Sequence, residues 1–384
     1  MTVLLWILAA LALPFVLFAA WMAKVFLKEF FSGNAEAALE AEEAAATAAG
    51  KAAASAALGL LPAERQNTDS AGPLTPETTA ALTAVRGGDW RPAAGLMAAV
   101  GRDWERRSLL TYRLADRAAD DDTWLLAWEA ERPEDPDAAV VRARSAVILA
   151  WRVRGGQRGQ YTTREQFEGF RRTLLEAREE VARAAALNPD GPTPYVAEIW
   201  LALGLGYPNA RMDDLWTEVM ARAPHHYEAH FSALQYWCAK WRGSERLATE
   251  FAERAAAGAP AGSLLTALPL IAHFEHDDSD DTTADNTPEM VARVEAALKD
   301  AAAADPAHPR LPELRHLLAY YLHLQGRNEA AVEHFRLVDG HVDALPWRYR
   351  NDKAEYFCQV RDTAVLEAGA AARAGMSGAA ASLQ

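Results

Sequence analysis

His225, His226 and His230 form the densest histidine group of the chain. On a helix His226 and His230 lie four residues apart and share a face, the spacing at which two imidazoles can hold one metal ion. Glu228 falls two residues after His226, about 200° round such a helix, so it points away from a metal held by the pair, and a zinc-protease arrangement is excluded. The plainer reading is a histidine pair at a helix start, on a solvated face.

The stretch HFEHDDSDDTTADNTPE covers residues 273–289. It puts Asp278, Asp280, Thr282 and Glu289 at positions 1, 3, 5 and 12 of a calcium loop. The sharp turn such a loop needs is made by glycine, and here that position is Thr283. Thr287-Pro288-Glu289 reads equally well as an N-cap followed by the first turn of a helix. A solvated acidic insert over 275–289 is expected, with weak cation binding as the alternative. Neither group defines a metal site.

Other reaction motifs are missing. The Gly50-Lys51 pair lacks the upstream glycine and the following Ser or Thr of a phosphate loop. No G-x-S-x-G, H-E-x-x-H or C-x-x-C occurs. The expectation is a protein without catalysis, cofactor or metal.

Two sets of residues suit binding instead. RVRGGQRGQYTTREQFEGFRR (152–172) carries six arginines against Glu165 and Glu168. It reads as a loop followed by an ordinary helix, with an acidic partner or lipid head groups as the alternative contact. The second set is aromatic: Trp200, Trp216, Tyr227, Phe231, Tyr236, Trp237 and Trp241. Most of these belong to a core at helical spacing, but Trp and Tyr are enriched at interface hot spots. A groove lined by Trp200, Tyr236, Trp237 and Trp241 and rimmed by Lys240 and Arg242 is the expected partner-binding site, its occupant a protein or peptide.

These residues have to be positioned by helices. Among 384 residues alanine, the best helix former, is the commonest, and β-branched residues are sparse. With 39 Lys+Arg against 53 Asp+Glu the formal net charge is -14, which argues against nucleic-acid binding. Two cysteines exclude a disulfide scaffold.

Thr2 to Ala23 is an uncharged run of 22 residues. As a helix it would span roughly 33 Å, enough for a bilayer core. No Lys or Arg precedes the run, and Lys24 and Lys28 follow it, which favours a retained anchor over a cleaved signal and places the rest of the chain in the cytoplasm. The expected organisation is a transmembrane anchor over 1–28 and an Ala/Glu-rich helical tether and linker over 29–75. A helical repeat domain follows over 76–370, then a flexible tail over 371–384.

Within the repeat domain, alanine-rich helix ends are followed by Pro189, Pro224 and Pro260, spaced by 35 and 36 residues. Pro306 follows 46 residues later, and Pro136 precedes Pro189 by 53, with inserts absorbing both excesses. A proline-closed period near 34 residues resembles the tetratricopeptide repeat, a helix–turn–helix unit. The best match is LPELRHLLAYYLHLQGRNEAAVEHFRLV (311–338), with Leu318, Ala319, Leu322, Gly326, Ala331 and Phe335 at the small and large consensus positions. The unit ending at Pro260 fits through Gly243, Ala248 and Ala255. The one ending at Pro224 is degenerate, with Trp200, Tyr207, Met212 and Trp216 at positions that favour small residues. YWCAKWRGS (236–244) further resembles an uncharacterised family of tetratricopeptide-like proteins from actinobacteria, which brings no activity with it.

The expected fold is all-α, a tetratricopeptide-like solenoid of helical hairpins preceded by a transmembrane helix. The expected function is a plasma-membrane-anchored scaffold for a protein or peptide, without a small-molecule substrate. Two alternatives stay open: an exported, envelope-side repeat protein, and a weak metal-binding or degenerate enzyme domain using residues 225–230 and 278–281. Residues 76–150 match the repeat poorly, and their place in the array is also open.

Overall fold

The computed structural model describes residues 45–155, 162–277 and 281–381. The apolar run 2–23, and Asp278 and Asp280 of the acidic stretch, lie outside them. No described helix is long and apolar enough to cross a membrane. Among the described residues the only regular elements are helices, as the composition predicts.

The chain divides into two compact units, Met1–Pro62 and Ala63–Gln384. The first contributes a mostly exposed helix, α1, over 45–57. It lies in the Ala/Glu run whose propensity is helical but whose apolar stripe is weak.

The second unit begins with α2 (Pro76–Arg86), α3 (Arg91–Val100), α4 (Trp104–Asp120), α5 (Thr123–Glu131) and α6 (Pro136–Arg154). It continues with α7 (Arg164–Leu187), α8 (Thr193–Leu205), α9 (Asn209–Arg222), α10 (Tyr227–Trp237) and α11 (Glu245–Ala257). The last five are α12 (Ala267–Phe274), α13 (Pro288–Ala303), α14 (Leu311–Leu324), α15 (Asn328–Val338) and α16 (Lys353–Ala381). The alanine-rich end carries α16 beyond residue 370, where the sequence reading placed the start of a flexible tail.

The prolines act as expected at four of their five places. Helices α7, α9, α11 and α13 stop two or three residues before Pro189, Pro224, Pro260 and Pro306. Pro136 instead opens α6, at a first-turn position where its missing N–H costs nothing. Starts are set by side-chain caps: Thr75, Asp103, Asp135, Ser244 and Thr287 each accept a backbone N–H of the following turn. Thr163 and Gln166 form a reciprocal capping box at the head of α7.

The packing follows a simple order. Each helix from α6 to α16 packs on its neighbour in sequence along most of the chain: α6 on α7, α7 on α8, α8 on α9, α10 on α11, α11 on α12, α13 on α14, α14 on α15 and α15 on α16. The even-numbered helices also pack on one another, α4 on α6, α6 on α8, α8 on α10, α10 on α12, α12 on α14 and α14 on α16. They therefore form an inner row backed by the odd-numbered helices. The segment 311–338 folds as the helix–turn–helix read from it, with Leu318, Ala319, Leu322, Ala331 and Phe335 all fully buried between α14 and α15. Gly326 makes the turn at φ +68°, a conformation that glycine adopts without strain.

The row curls back on itself. Helix α4 reaches α10, where the His226 ring donates to the Trp104 carbonyl at 3.1 Å and the Tyr227 N–H donates to Glu105 at 2.6 Å. At the other end, residues 66–71 pair with 339–343. Asn67 N–H donates to Gly340 at 2.8 Å, Val342 N–H to Asn67 at 2.9 Å and Asp343 N–H to Ser70 at 3.0 Å. Gln66 adds side-chain bonds to Asp339 at 2.9 Å and to the Gly340 N–H at 2.8 Å. This stretch was expected to be a free linker because it has little apolar surface to bury. Backbone pairing holds it instead, a kind of bond that hydrophobic patterning does not show. Gly72 lies so close to Pro312 that a Cβ there would collide with the ring.

Residues 76–150 share one hydrophobic core with α7 and with Ala197 and Leu201 of α8. Trp90 and Trp128 stack with ring centres 5.4 Å apart, and Arg91 and Arg132 lie over the Trp90 ring at 5.0 and 4.9 Å. The Trp128 indole donates to Asp135 at 3.0 Å, fixing α5 against the start of α6.

Candidate functional site

Helices α4, α6, α8, α10 and the start of α14, with the segment 343–349, enclose a cavity of about 690 Å³. That is the size of a ligand pocket. Buried Tyr227, Glu228, Ser232 and Arg310 form its floor, and the more exposed Arg152, Arg348 and Tyr349 lie towards its mouth. Half-buried Tyr112, Trp151, Trp200 and Phe231 supply flat apolar wall between them.

Glu228 anchors the floor. Its two carboxylate oxygens accept from Arg144 and Arg310, each at 2.7 Å, and a third bond comes from the Ser108 hydroxyl. These four residues come from α10, α6, the residue capping α14, and α4. Burial raises the cost of charging Glu228, but the two guanidinium groups and the Ser108 bond outweigh it and hold the carboxyl below its ordinary range. Arg310 also pairs with Glu313 at 2.7 Å, and its charge is held firmly by its carboxylate neighbours.

Charge on the wall is unbalanced. Arg113, Arg144, Arg152, Arg154, Arg310 and Arg348 face Asp116, Glu228, Glu313 and Asp343, an excess of two positive charges. Arg152 is taken up by Asp116 and Asp120 at 2.7 Å each, and Arg348 by Asp343 at 3.5 Å. Arg113 donates to the Asp69 carbonyl and forms no ion pair among the described residues. Burial pulls the Arg113 pKa below the usual arginine value.

Several wall residues keep polar atoms that are shielded from solvent and bonded to nothing among the described residues: Arg113 Nε, Arg310 Nε, Trp151 Nε1, Trp200 Nε1 and Ser232 Oγ. All five can donate a hydrogen bond. The wall carboxylates leave no such orphan.

The residues expected to line a partner groove separate on folding. Trp200 does line the cavity. Trp241 stands behind the wall, edge-on to Trp151 at 5.3 Å and under Arg154 at 5.4 Å. Tyr236 is fully buried and bonds through its hydroxyl to the Tyr207 carbonyl at 2.7 Å and to Asn209 at 3.1 Å, so it faces no partner. Trp237 packs edge-on against Tyr236 at 5.0 Å. Lys240 pairs with Glu275 and reaches the Tyr349 hydroxyl at 3.3 Å. Arg242 lies against Gly206, where any Cβ would strike its guanidinium. Helix α10 is buried nearly all round, so its aromatic residues serve several interfaces rather than one groove.

His226 and His230 serve the structure. His226 and His230 are buried rather than solvated: His226 caps α10 by accepting from the Ala229 N–H at 3.2 Å. His230 bonds to the His226 carbonyl at 3.0 Å and sits against Trp216. The acidic stretch is likewise spent on structure. Asp281 accepts from Thr283, Thr287 caps α13, and buried Asp285 accepts from His273 at 3.0 Å. His273, Asp277 and Asp285 come close enough together to meet one cation, although the His273–Asp285 bond already joins two of them.

The floor residues Ser108, Arg144, Glu228 and Arg310 were not singled out by sequence, except that Glu228 served to exclude a zinc site. The available signal was a lone acidic residue in a helix rich in aromatic and small residues. The chain matches no protein-family model and no curated protein.

Proposed function

We propose that the protein is a tetratricopeptide-like helical scaffold that works by non-covalent binding, with the enclosed cavity as its binding place. The alternating packing of even-numbered helices and the consensus residues of 311–338 support the repeat reading. The uncharged run 2–23 supports an array anchored at the plasma membrane, facing the cytoplasm.

Binding rather than catalysis is favoured by the state of the reactive groups. Burial pushes the thiols of Cys238 and Cys358 up to about 12 each, leaving them protonated. Burial pushes His230 and His316 down to about 4. Glu228 is locked between two arginines. None of these is poised to exchange a proton at neutral pH.

The observation that carries the proposal is a cavity of about 690 Å³ with shielded, unbonded donors on its wall. The test is a thermal-shift screen of small organic compounds on the wild type and on Ser232→Phe and Ile148→Trp, which fill the cavity from α10 and α6. Stabilisation confined to the wild type is expected. Stabilisation that persists in both filled variants would place binding elsewhere.

A further inference from the structure

The composition of the cavity wall limits what fits it. Its arginines exceed its carboxylates by two on a chain of net charge -14, so the wall runs against the charge of the chain as a whole. Its solvent-shielded orphans are all donors. A buried donor without a partner forfeits roughly 1–3 kcal/mol. Water does not reach these atoms as the side chains stand, so a ligand oxygen that draws them into bonds recovers that loss. The flat walls, Trp151 and Trp200, meet edge-on at 5.8 Å and offer ring surface, with their indole N–H groups shielded behind it. Neutral or cationic ligands would leave the donors and the charge excess unmatched.

We propose that the cavity binds a free organic anion: a flat apolar body carrying one carboxylate or phosphate head, with the body against Trp151, Trp200 and Phe231 and the head bonded by Arg113. This rests on the reading of the cavity as the binding place and adds the chemistry of its ligand. Arg113 is the recognising residue because it is held by a backbone carbonyl rather than by a carboxylate and keeps its Nε–H shielded and unbonded among the described residues. Arg310 is tied to Glu228 and Glu313, and its remaining Nε–H supplies a second donor.

The test is calorimetric titration of the full chain with 2-naphthoate, its uncharged isostere 2-naphthamide, and 2-naphthyl phosphate. The expected result is one site that takes an anion at least tenfold more tightly than the amide, as charge-assisted bonds are stronger than neutral ones. The tighter of the two anions identifies the head group. Arg113→Gln is expected to abolish most of that preference while leaving 2-naphthamide unchanged, and Arg113→Lys to retain part of it. Trp200→Phe keeps the ring, loses the N–H and is expected to weaken the anion more than the amide. Equal binding of amide and anions overturns the anion assignment and leaves the cavity reading intact. No binding of any of the three overturns both.

Discussion

At the residue scale, Glu228 is the most consequential side chain. It closes a contact between chain segments 120, 84 and 82 residues apart, through Ser108, Arg144 and Arg310. Breaking a buried pair is costly because the partner charge stays behind in low dielectric. Glu228→Gln is therefore expected to cost about 3–5 kcal/mol in denaturant unfolding; a loss within the range of an ordinary surface substitution would contradict the role given to it. The buried histidines set a pH dependence. Burial pushes His230, His316 and His334 down to about 4 from an ordinary 6.5. As pH falls, the unfolded chain takes up these protons before the folded one does. Stability is thus complete above pH 6.5 and declines from there to about 4. Glu228, whose carboxyl is also held below its ordinary value, adds a loss beginning below 4.5. Unfolding midpoints measured from pH 7 to 4 should fall through this window, and a flat profile would refute these assignments. Sequence showed that residues 225–241 matter but not how. Whether a side chain of α10 faces cavity, core or solvent is decided by the other helices it packs on, α4, α8 and α12 among them.

At the scale of elements, much of the fold was legible. Proline positions marked the ends of α7, α9, α11 and α13, and small residues at Ala319 and Ala331 marked a close helix pair. Gly326 was legible as the turn between them. With open space around it but φ +68°, Gly326→Ala is expected to cost about 1 kcal/mol through backbone strain alone. The segment 63–75 was not legible, because it is held by hydrogen bonds, several of them between backbone groups that every residue carries, and not by an apolar pattern. Its pairing with 339–343 predicts that a chain trimmed to begin at residue 76 is less stable than one beginning at 63. The expected loss is several kcal/mol, on the order of 1 per hydrogen bond. Equal melting temperatures for the two chains would show that the segment is dispensable.

At the scale of the whole molecule, the inner row of helices explains why an acidic protein holds a basic cavity. Carboxylates dominate the chain, yet the wall arginines come from α4, α6, the start of α14 and the segment before α16. The curl of the row gathers them to one place, and no single stretch of sequence displays the set. The stretch with six arginines, 152–172, gave a partial signal, since its Arg152 and Arg154 do reach the cavity. A crystal structure of the protein with 2-naphthoate tests the account most directly. The naphthalene is expected against the Trp151 and Trp200 wall with its carboxylate bonded to Arg113. Naphthoate seated against Trp237 on the far side of α10, with no ligand in the cavity, would contradict it.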